Sequence, residues 1–322
     1  MTGPLVIGHR GAAGHRPEHT LASYALAARL GADYLEPDLV ATADGVLVAR
    51  HDPELSGTTD IADRPEFADR RTTRTVDGRS TTGWFVDDLT LAELRTLRAV
   101  ERMPALRSAN TRFDRRFGIP TFDEVLALRA QLSADLGREI GVYPETKNPG
   151  YFADRGLPLE PPLVAALRGA GLDDAAAPVF VQSFAPASLH RIRPALRVPL
   201  VQLIDGADAR LVGDAGLASL ADYAAVVGVH KDLVLPRNAA GQLAEPTGLV
   251  DEAHAAGLQV HAFTFRDENA FLPADLRRGN RPAAHGDAQG EYAAFLRAGV
   301  DGVFSDHPDS ASRAVQTTRR SS

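Results

Sequence analysis

The sequence predicts an α/β protein of the (β/α)8-barrel class, with an insertion subdomain at the carboxyl-terminal mouth of the barrel. Two observations lead to this prediction. Eight short apolar runs alternate with Ala/Leu-rich segments of helical period, the pattern of a parallel sheet with crossover helices. Polar residues also cluster at the C-terminal ends of many of these runs, where barrels build their active sites. An open, doubly wound sheet is the alternative architecture.

The predicted strands cover residues 4–10, 33–40, 139–147, 178–184, 198–204, 223–230, 258–265 and 301–307. The predicted helices cover residues 20–31, 121–132, 161–171, 186–196, 207–220, 247–257 and 291–299. Several of these helices end at a glycine, as in RLGADY, GAGLDD, AAGLQV and RAGVDG. This is typical of a helix C-cap that leads into a strand.

One long segment departs from the alternation of strands and helices. Residues 52–118 are rich in Thr, Asp and Arg and contain one helix-like stretch, 90–100. A connection of this length inside a compact domain is usually functional or forms a small subdomain. We therefore predict a single catalytic domain over residues 1–322, in which 52–118 is an insertion that follows a β-hairpin. A shorter insertion, 266–287, follows the seventh strand.

The composition excludes several classes of protein. The 322-residue chain has no cysteine, which rules out disulfides and thiolate metal sites. A formal net charge of -7 disfavours a nucleic-acid partner. No run approaches 18 apolar residues, so we expect no transmembrane segment. Since MTGPLVIGHR lacks the pattern of a signal peptide, we expect a cytoplasmic protein or the mature form of a secreted or periplasmic one. The oligomeric state is not indicated.

The predicted second strand, YLEPDLV, carries two acids, Glu36 and Asp38, on either side of Pro37. Residues two apart share one face of a strand, and burying carboxylates under apolar helices would be costly, so we predict that both point toward the barrel mouth. Together with Glu145 they would form a hard-oxygen site suited to Mg²⁺ or Ca²⁺. Salt-bridged acids of the barrel core are the alternative. Because proline cannot donate to a sheet, we expect Pro37 where the strand is ending.

Two histidines and two cationic residues are predicted at the same mouth. His9 ends the first strand and His51 ends the hairpin after the second. They could form an acid–base pair, because imidazole titrates near neutral pH. They could also bind metal or be ordinary surface residues. Arg10 and Lys147 supply positive charge there, and arginine suits bidentate binding of phosphate.

These motifs, in this order, resemble the glycerophosphodiester phosphodiesterase family. The family's opening signature is H-R-G, P-E-N-T, E-x-D and a D-G hairpin ending in H-D, and residues 9–52 read HRGAAGHRPEHTLASYALAARLGADYLEPDLVATADGVLVARHD. The resemblance continues at YPETK (143–147), QSF (182–184), HAFTFR (261–266) and DGVFSDHPD (301–309) and spans essentially the whole chain. The long insertion and the Y-P-E-T-K form are most similar to the periplasmic or secreted bacterial branch.

The resemblance implies a (β/α)8 barrel with an insertion after the second strand, and it assigns roles to the predicted site. Glu36, Asp38 and Glu145 are expected to bind one divalent cation, with Ca²⁺ expected and Mg²⁺ the alternative. His9 and His51 are expected to be the catalytic acid–base pair.

The resemblance also implies a substrate-binding set. Arg10 and Lys147 are expected to clamp the phosphate, and Glu18 is expected to be a further residue of the site. Two positions depart from the family pattern. His19 replaces the asparagine of P-E-N-T and is expected to be solvated, and Phe263 lies in HAFTF, where many relatives have a tryptophan. We expect Phe263 to contact the alcohol part of the substrate.

The implied function is metal-dependent hydrolysis of a small-molecule glycerophosphodiester to glycerol 3-phosphate and an alcohol. Water or the neighbouring glycerol hydroxyl could be the nucleophile. One alternative is a lyase of the sphingomyelinase D type, although such proteins usually carry disulfides and lack the long insertion. The other is a non-catalytic glycerophosphodiester-binding protein, which the simultaneous presence of histidines, carboxylates and cations disfavours.

Overall fold

The computed structural model describes residues 3–321, so residues 1, 2 and 322 of the predicted domain lie outside the described residues. Strands and helices alternate along the chain, as predicted. Over the described residues the strands are β1 (Leu5–His9), β2 (Tyr34–Glu36), β3 (Asp38–Ala41), β4 (Leu47–Ala49), β5 (Thr72–Val76), β6 (Arg79–Gly83), β7 (Gly141–Val142), β8 (Glu145–Thr146), β9 (Val181–Ser183), β10 (Leu200–Ile204), β11 (Val226–His230), β12 (Gln259–Phe265) and β13 (Gly302–Ser305).

Parallel pairing closes the main sheet into a ring. β1 lies between β13 and β2. β2 and β3 are two parts of one strand, as are β7 and β8, and β2 pairs with β7 while β3 pairs with β8. The pairing then continues in chain order from β8 through β9, β10, β11 and β12 to β13. Eight strand positions therefore form a closed barrel, which confirms the predicted fold and excludes the open sheet.

Pro37 divides the second barrel strand and does not end it. The strand continues as β3, which pairs in parallel with β8 and antiparallel with β4. The prediction that Pro37 marks the end of the strand is therefore wrong. The proline is tolerated because its carbonyl oxygen still accepts a hydrogen bond from the Glu145 backbone N–H, at 2.9 Å, so only the donor side of the ladder is interrupted.

The helices lie between successive barrel strands and after the last one. They are α1 (Leu21–Arg29), α2 (Leu91–Leu94), α3 (Phe122–Leu136), α4 (Pro149–Asp154), α5 (Glu160–Gly169), α6 (Pro186–Ile192), α7 (Asp214–Ala221), α8 (Leu249–Ala255), α9 (Ala288–Arg297) and α10 (Pro308–Ser321). The predicted helix 207–220 is divided into a 3-10 helix, Gly206–Val212, and α7. The four glycines predicted to end helices all have positive φ: Gly31, Gly171, Gly257 and Gly299.

Side-chain caps stabilise the starts of two helices. The side chain of Thr20 accepts a hydrogen bond from the backbone of Ser23 at the start of α1. At α3, Thr121 and Glu124 form a reciprocal capping box, which satisfies two backbone donors at once. Over residues 3–321, every helix is too short or too polar to cross a bilayer.

The apolar side chains form two groups, one between the barrel and its helices and one inside the barrel. The inner group fills the barrel interior below its mouth, and it consists of Leu5, Ile7, Tyr34, Tyr143, Val201, Leu203, Val226 and Phe304. Phe263 packs against this inner group. The interior is thus a packed floor, and space for a ligand remains only above it.

The segment 52–118, which we call the mouth segment, consists of short elements. It contains the β5–β6 hairpin, α2 and 3-10 helices at Ile61–Asp63, Pro65–Arg70, Val86–Asp88 and Ser108–Phe113. The helix predicted over 90–100 is shorter, because α2 ends at Leu94. The chain beyond it bonds a distant segment instead, since the backbone N–H of Arg98 donates to Asp60 Oδ1 at 2.7 Å and the Arg98 carbonyl accepts from Asp60 N at 3.0 Å.

Candidate active site

A cavity of about 120 Å³ opens above the packed floor, at the C-terminal ends of the barrel strands. Its wall has a charged side and an apolar side. The lining residues are His9, Arg10, Glu36, Asp38, His51, Glu145, Lys147, Gln182, Phe184, Leu203, Phe263, Thr264 and Phe304. Eight of the nine residues predicted to form the site therefore line one cavity, because β1, β2, β3, β4, β8 and β12 all bring them to the same end of the barrel.

Three buried carboxyl groups meet on the charged side of this cavity. One oxygen each from Glu36, Asp38 and Glu145 lies within 4.8 Å of the others. Burial, together with repulsion from Asp38 and Glu145, raises the pKa of Glu36 well above its usual range. Burial and the charge of Asp38 raise the pKa of Glu145 to about 8. Crowded, dehydrated carboxylates of this kind suit a divalent cation with oxygen ligands, so the residues present fit such an ion.

Each acid of the second strand is oriented by fixed donors. Glu36 Oε2 accepts from the backbone N–H of Arg10 at 2.8 Å, and its Oε1 accepts from Gln182 Nε2 at 3.0 Å. Asp38 Oδ2 accepts from His19 Nε2 at 2.9 Å. Burial alone would raise the pKa of Asp38, but Lys147 and His19 outweigh it, and the pKa lies well below its usual range.

The two cationic residues lie beside the acids. Lys147 Nζ is 2.9 Å from Glu145 Oε1 and 4.0 Å from Asp38 Oδ1. Arg10 Nε lies 3.4 Å from Asp38 Oδ2 and makes no hydrogen bond, although it is buried. Arg10 adopts a left-handed backbone conformation, φ 55°, at the end of β1. Two cations on the wall that holds three acids leave the site close to charge balance before any ligand enters.

The two predicted histidines are each held by an aspartate. His9 Nδ1 lies 2.6 Å from Asp306 Oδ1, and His51 Nδ1 lies 2.8 Å from Asp52 Oδ1. A carboxylate partner fixes the proton on Nδ1, so Nε2 is the basic nitrogen of each neutral ring. Burial and the charge of Arg10 lower the pKa of both histidines, that of His51 to about 3. Both rings are therefore neutral near pH 7 in the ligand-free protein.

Two arginines of the mouth segment hold these aspartates. Arg102 Nη1 lies 2.7 Å from Asp52 Oδ2, and Arg107 Nη2 lies 2.6 Å from Asp306 Oδ2. Arg107 also donates to Glu268 Oε1, at 2.6 Å. Each histidine therefore contacts an aspartate, which in turn contacts an arginine of the mouth segment.

Glu18, the ninth predicted residue, lies behind the cavity wall. It is 6 % exposed and pairs with Arg10 Nη1, at 3.2 Å, and with Arg102. Its contacts are with the arginine predicted to bind phosphate. His19, next to it, was expected in solvent, and that expectation is wrong: it is fully buried and bonds both Asp38 and the Tyr24 hydroxyl.

Sequence reasoning assigned no catalytic or binding role to four further residues that the structure connects to this site. They are Gln182, Asp306, Arg102 and Arg107. The first two lie in the motifs QSF and DGVFSDHPD, so their position at strand ends was an available signal. The two arginines lie in an irregular segment among many others, and no periodic pattern distinguishes them.

Comparison with known proteins identifies the family. Residues 9–310 match the model of the glycerophosphoryl diester phosphodiesterase family. The chain is 36% identical to glycerophosphodiester phosphodiesterase GDPD6 of Arabidopsis thaliana over 94% of this chain and 83% of that protein. It is 30% identical to a glycerophosphodiester phosphodiesterase of Haemophilus influenzae, over 95% of this chain and 88% of the relative.

Solved structures share the fold. One is a phosphodiesterase of Oleispira antarctica in complex with the product sn-glycerol-3-phosphate, at TM-score 0.67 and 23% identity, covering 98% of this chain and 97% of the other. Another, from Silicibacter pomeroyi, has TM-score 0.69 and 23% identity and covers 99% and 95% of the two chains. The predicted family is confirmed, whereas its periplasmic or secreted branch stays a prediction. The chain therefore belongs to the glycerophosphoryl diester phosphodiesterase family and is a phosphodiesterase.

Proposed function

We propose that this protein hydrolyses glycerophosphodiesters to glycerol 3-phosphate and a free alcohol, with one divalent cation and a pair of histidines. The observation that carries the proposal is the convergence of three buried acids, two aspartate-bonded histidines and two cationic side chains on one cavity. The names of the relatives and the product bound to the Oleispira antarctica phosphodiesterase support the same substrate class.

Glu36, Asp38 and Glu145 would hold the cation, as three carboxylates with oxygen atoms close enough to share one ion. Oxygen ligands favour Ca²⁺ or Mg²⁺, and we propose Ca²⁺ with Mg²⁺ as the alternative. When bound, the cation supplies positive charge that stabilises the charge developing on the phosphoryl oxygens.

Arg10 and Lys147 bind and orient the phosphate. The guanidinium of Arg10 can present two N–H groups to two phosphate oxygens, and Lys147 adds a point charge. Glu18 and Arg102 fix the position of Arg10 from behind, so Glu18 acts on the substrate through that arginine. A fixed array of donors costs little reorganisation when charge develops in the reaction.

The histidines transfer protons. One ring accepts a proton at Nε2 from the nucleophile. The other ring takes up a proton from solvent at Nε2 when the anionic phosphodiester binds beside it, and it donates this proton to the oxygen of the leaving alcohol. Asp306 and Asp52 keep each ring in the required tautomer and stabilise it while it is charged. Water and the adjacent glycerol hydroxyl are both acceptable nucleophiles in this arrangement.

The apolar side of the cavity would pack against the carbon part of the substrate. Phe184 and Phe263 meet edge to face, with ring centroids 5.9 Å apart, and Phe304 lies behind Phe263. Phe184 is 38% exposed, so it lies at the opening. Burying carbon atoms against these rings would also exclude water from the reacting phosphate.

We further propose that residues 1–322 form one catalytic domain in which the mouth segment is an insertion that completes the site. Supporting this, Arg102 and Arg107 reach from the mouth segment to Asp52 and Asp306. Without the mouth segment, His51 would lose Asp52, and Asp306 beside His9 would lose Arg107.

A substrate panel tests the proposal. Glycerophosphocholine, -ethanolamine, -glycerol and -inositol are incubated with the protein and either Ca²⁺ or Mg²⁺, and products are followed by ³¹P NMR. Formation of glycerol 3-phosphate by the wild type, and its loss in Glu145→Gln, supports hydrolysis at this site. A cyclic phosphate as the end product would instead indicate a lyase, and tight binding without turnover would indicate a binding protein.

A further inference from the structure

A second cluster of metal-ligating side chains lies outside the cavity just described. It consists of Asp267 and His285, from the segment 266–287 after the seventh barrel strand, and His307, from the loop after β13. One potential ligand atom from each lies within 4.8 Å of the other two. Asp267 Oδ1 is 3.8 Å from His307 Nδ1, and Asp267 Oδ2 is 3.9 Å from His285 Nδ1.

Buried atoms of this cluster lack partners. Asp267 is 7% exposed, and its Oδ1 makes no hydrogen bond, whereas its Oδ2 accepts from Ser310 Oγ at 2.6 Å. His307 is 1% exposed, and its Nε2 is also without a hydrogen-bond partner. A buried carboxylate oxygen without a hydrogen-bond partner is unfavourable, so Asp267 Oδ1 calls for an occupant.

The hydrogen-bond pattern indicates a positively charged occupant. The backbone N–H of Asp267 points at His307 Nδ1, at 3.4 Å, which makes that nitrogen an acceptor. The unpaired carboxylate oxygen of Asp267 faces the same nitrogen at 3.8 Å, beyond hydrogen-bonding distance. The lone pair of His307 Nδ1, engaged only by this long 3.4 Å contact, and the unpaired oxygen of Asp267 are therefore close enough to bind one cation between them.

We propose that Asp267, His285 and His307 bind a divalent transition-metal ion of the Zn²⁺ class. Two imidazoles and one carboxylate form a ligand set that suits Zn²⁺, whereas Ca²⁺ and Mg²⁺ prefer oxygen ligands throughout. The side chain of His285 is 56% exposed, so an ion can reach the cluster from solvent. The same exposure leaves the His285 ring room to turn toward an ion bound by Asp267 and His307.

Such an ion would join the segment 266–287 to the last barrel strand. Asp267 is followed by Glu268, which bonds Arg107, the arginine that holds Asp306 beside His9. The site would thus act as a structural clamp at one side of the mouth, separate from the three-carboxylate site.

Metal binding to the apoprotein tests the proposal. Zn²⁺ affinity is measured by competition with a chromophoric chelator, and Co²⁺ is used as a spectroscopic probe of histidine coordination. We compare the wild type with His285→Ala, with Glu145→Gln and with His254→Ala, an exposed histidine beside Asp301 that serves as the matched control. His285 is exposed, so its replacement leaves the fold intact.

We expect one Zn²⁺ site whose affinity falls about 10²-fold or more in His285→Ala and is unchanged in His254→Ala and Glu145→Gln. The visible Co²⁺ absorption should follow the same pattern, and Zn²⁺ should raise the Tm of the wild type, His254→Ala and Glu145→Gln but not that of His285→Ala. Asp267→Asn, with its fold checked by circular dichroism, should reproduce the loss. Absence of Zn²⁺ binding, or binding that Glu145→Gln removes and His285→Ala leaves unchanged, would overturn the proposal.

Discussion

Arg102 and Glu18 form a two-pronged ion pair, with Arg102 Nε 2.7 Å from Glu18 Oε2 and Nη2 2.7 Å from Oε1. The third nitrogen of the same guanidinium contacts Asp52. One side chain from the mouth segment therefore supports both Arg10, through Glu18, and His51, through Asp52.

Arg102→Met should reduce kcat by about 10²-fold, because small displacements of reacting groups have effects of this size. The pH profile of kcat should also shift, since removing a positive charge near His51 raises the pKa of that ring. The control is Arg95→Met, in the same segment, whose ion pair with Glu124 is exposed and contributes about 0–1 kcal/mol. Wild-type kcat in Arg102→Met, with only a lower Tm, would show that Arg102 is merely structural.

His9→Ala and His51→Ala should each lower kcat by about 10²-fold or more, as expected for loss of a general acid or base. Steady-state kinetics on the best substrate of the panel measures the effect, and circular dichroism checks that the fold is retained. A variant that keeps near-normal turnover would remove its histidine from the acid–base pair.

Asp306→Asn should impair catalysis through His9, because an amide can donate to the ring and stabilise the wrong tautomer. We expect the double variant His9→Ala/Asp306→Asn to be little worse than His9→Ala alone, since residues that act as a unit are not additive. Asp309→Asn is the control, because Asp309 bonds the partly exposed His15, at 2.9 Å. Fully additive losses in kcat would contradict a shared function.

Chelation with EDTA should abolish activity, and Ca²⁺ or Mg²⁺ should restore it. Burial and the charge of Asp38 raise the pKa of Glu145 to about 8, so the metal-free carboxyl is protonated near pH 7 and the cation must displace that proton. Affinity should therefore rise with pH from about pH 6 to about pH 8. Titration calorimetry in two buffers of different ionisation enthalpy detects the released proton. An affinity that does not change with pH would show that cation binding displaces no proton from Glu145.

The same pKa has a consequence for the stability of the metal-free protein. Glu145 binds its proton more tightly when folded, since its usual pKa of 4.5 is raised to about 8. Between these values the folded state holds more protons than the unfolded state, so this group makes the free energy of unfolding fall as pH rises. Denaturant unfolding of the apoprotein at several pH values should show the slope, and Glu145→Gln should reduce it.

His19→Ala should weaken cation binding by about 10–100-fold, the usual effect of removing a residue that orients a metal ligand. The reason is that Asp38 loses its donor, His19 Nε2. Tyr24→Phe is the matched control, because it removes only the hydroxyl on the other side of the ring. Calorimetric titration with Ca²⁺ compares the two, and equal affinities in His19→Ala and wild type would contradict the proposed role.

The sequence was sufficient to predict the barrel and the eight predicted residues that line the cavity. Alternation within a strand is local and regular, so the spacing of Glu36 and Asp38 alone assigns both to one face. Asp306 was harder, because its contact with His9 spans 297 residues and exists only because β13 closes the ring beside β1. His19 lies in a loop and itself adopts a left-handed backbone conformation, φ 53°, which turns its ring toward the interior. No periodic pattern in the sequence indicates this conformation.

The mouth segment was predicted as a unit, but its internal structure was not. Its elements are short, and α2 stops early because Arg98 pairs with Asp60. Where long-range bonds replace a repeating pattern, neither helix ends nor the choice of Arg102 and Arg107 among many arginines can be deduced from spacing.

Arg102 and Arg107 make the positions of Asp52 and Asp306 depend on the mouth segment, which has little regular secondary structure. They are five residues apart, in a stretch between α2 and α3, and each supports a different histidine. Regions poor in regular structure open locally at lower free energy than a barrel core. A single local opening would therefore loosen the aspartates beside both His9 and His51 together, so we expect activity to be lost on heating before the barrel melts.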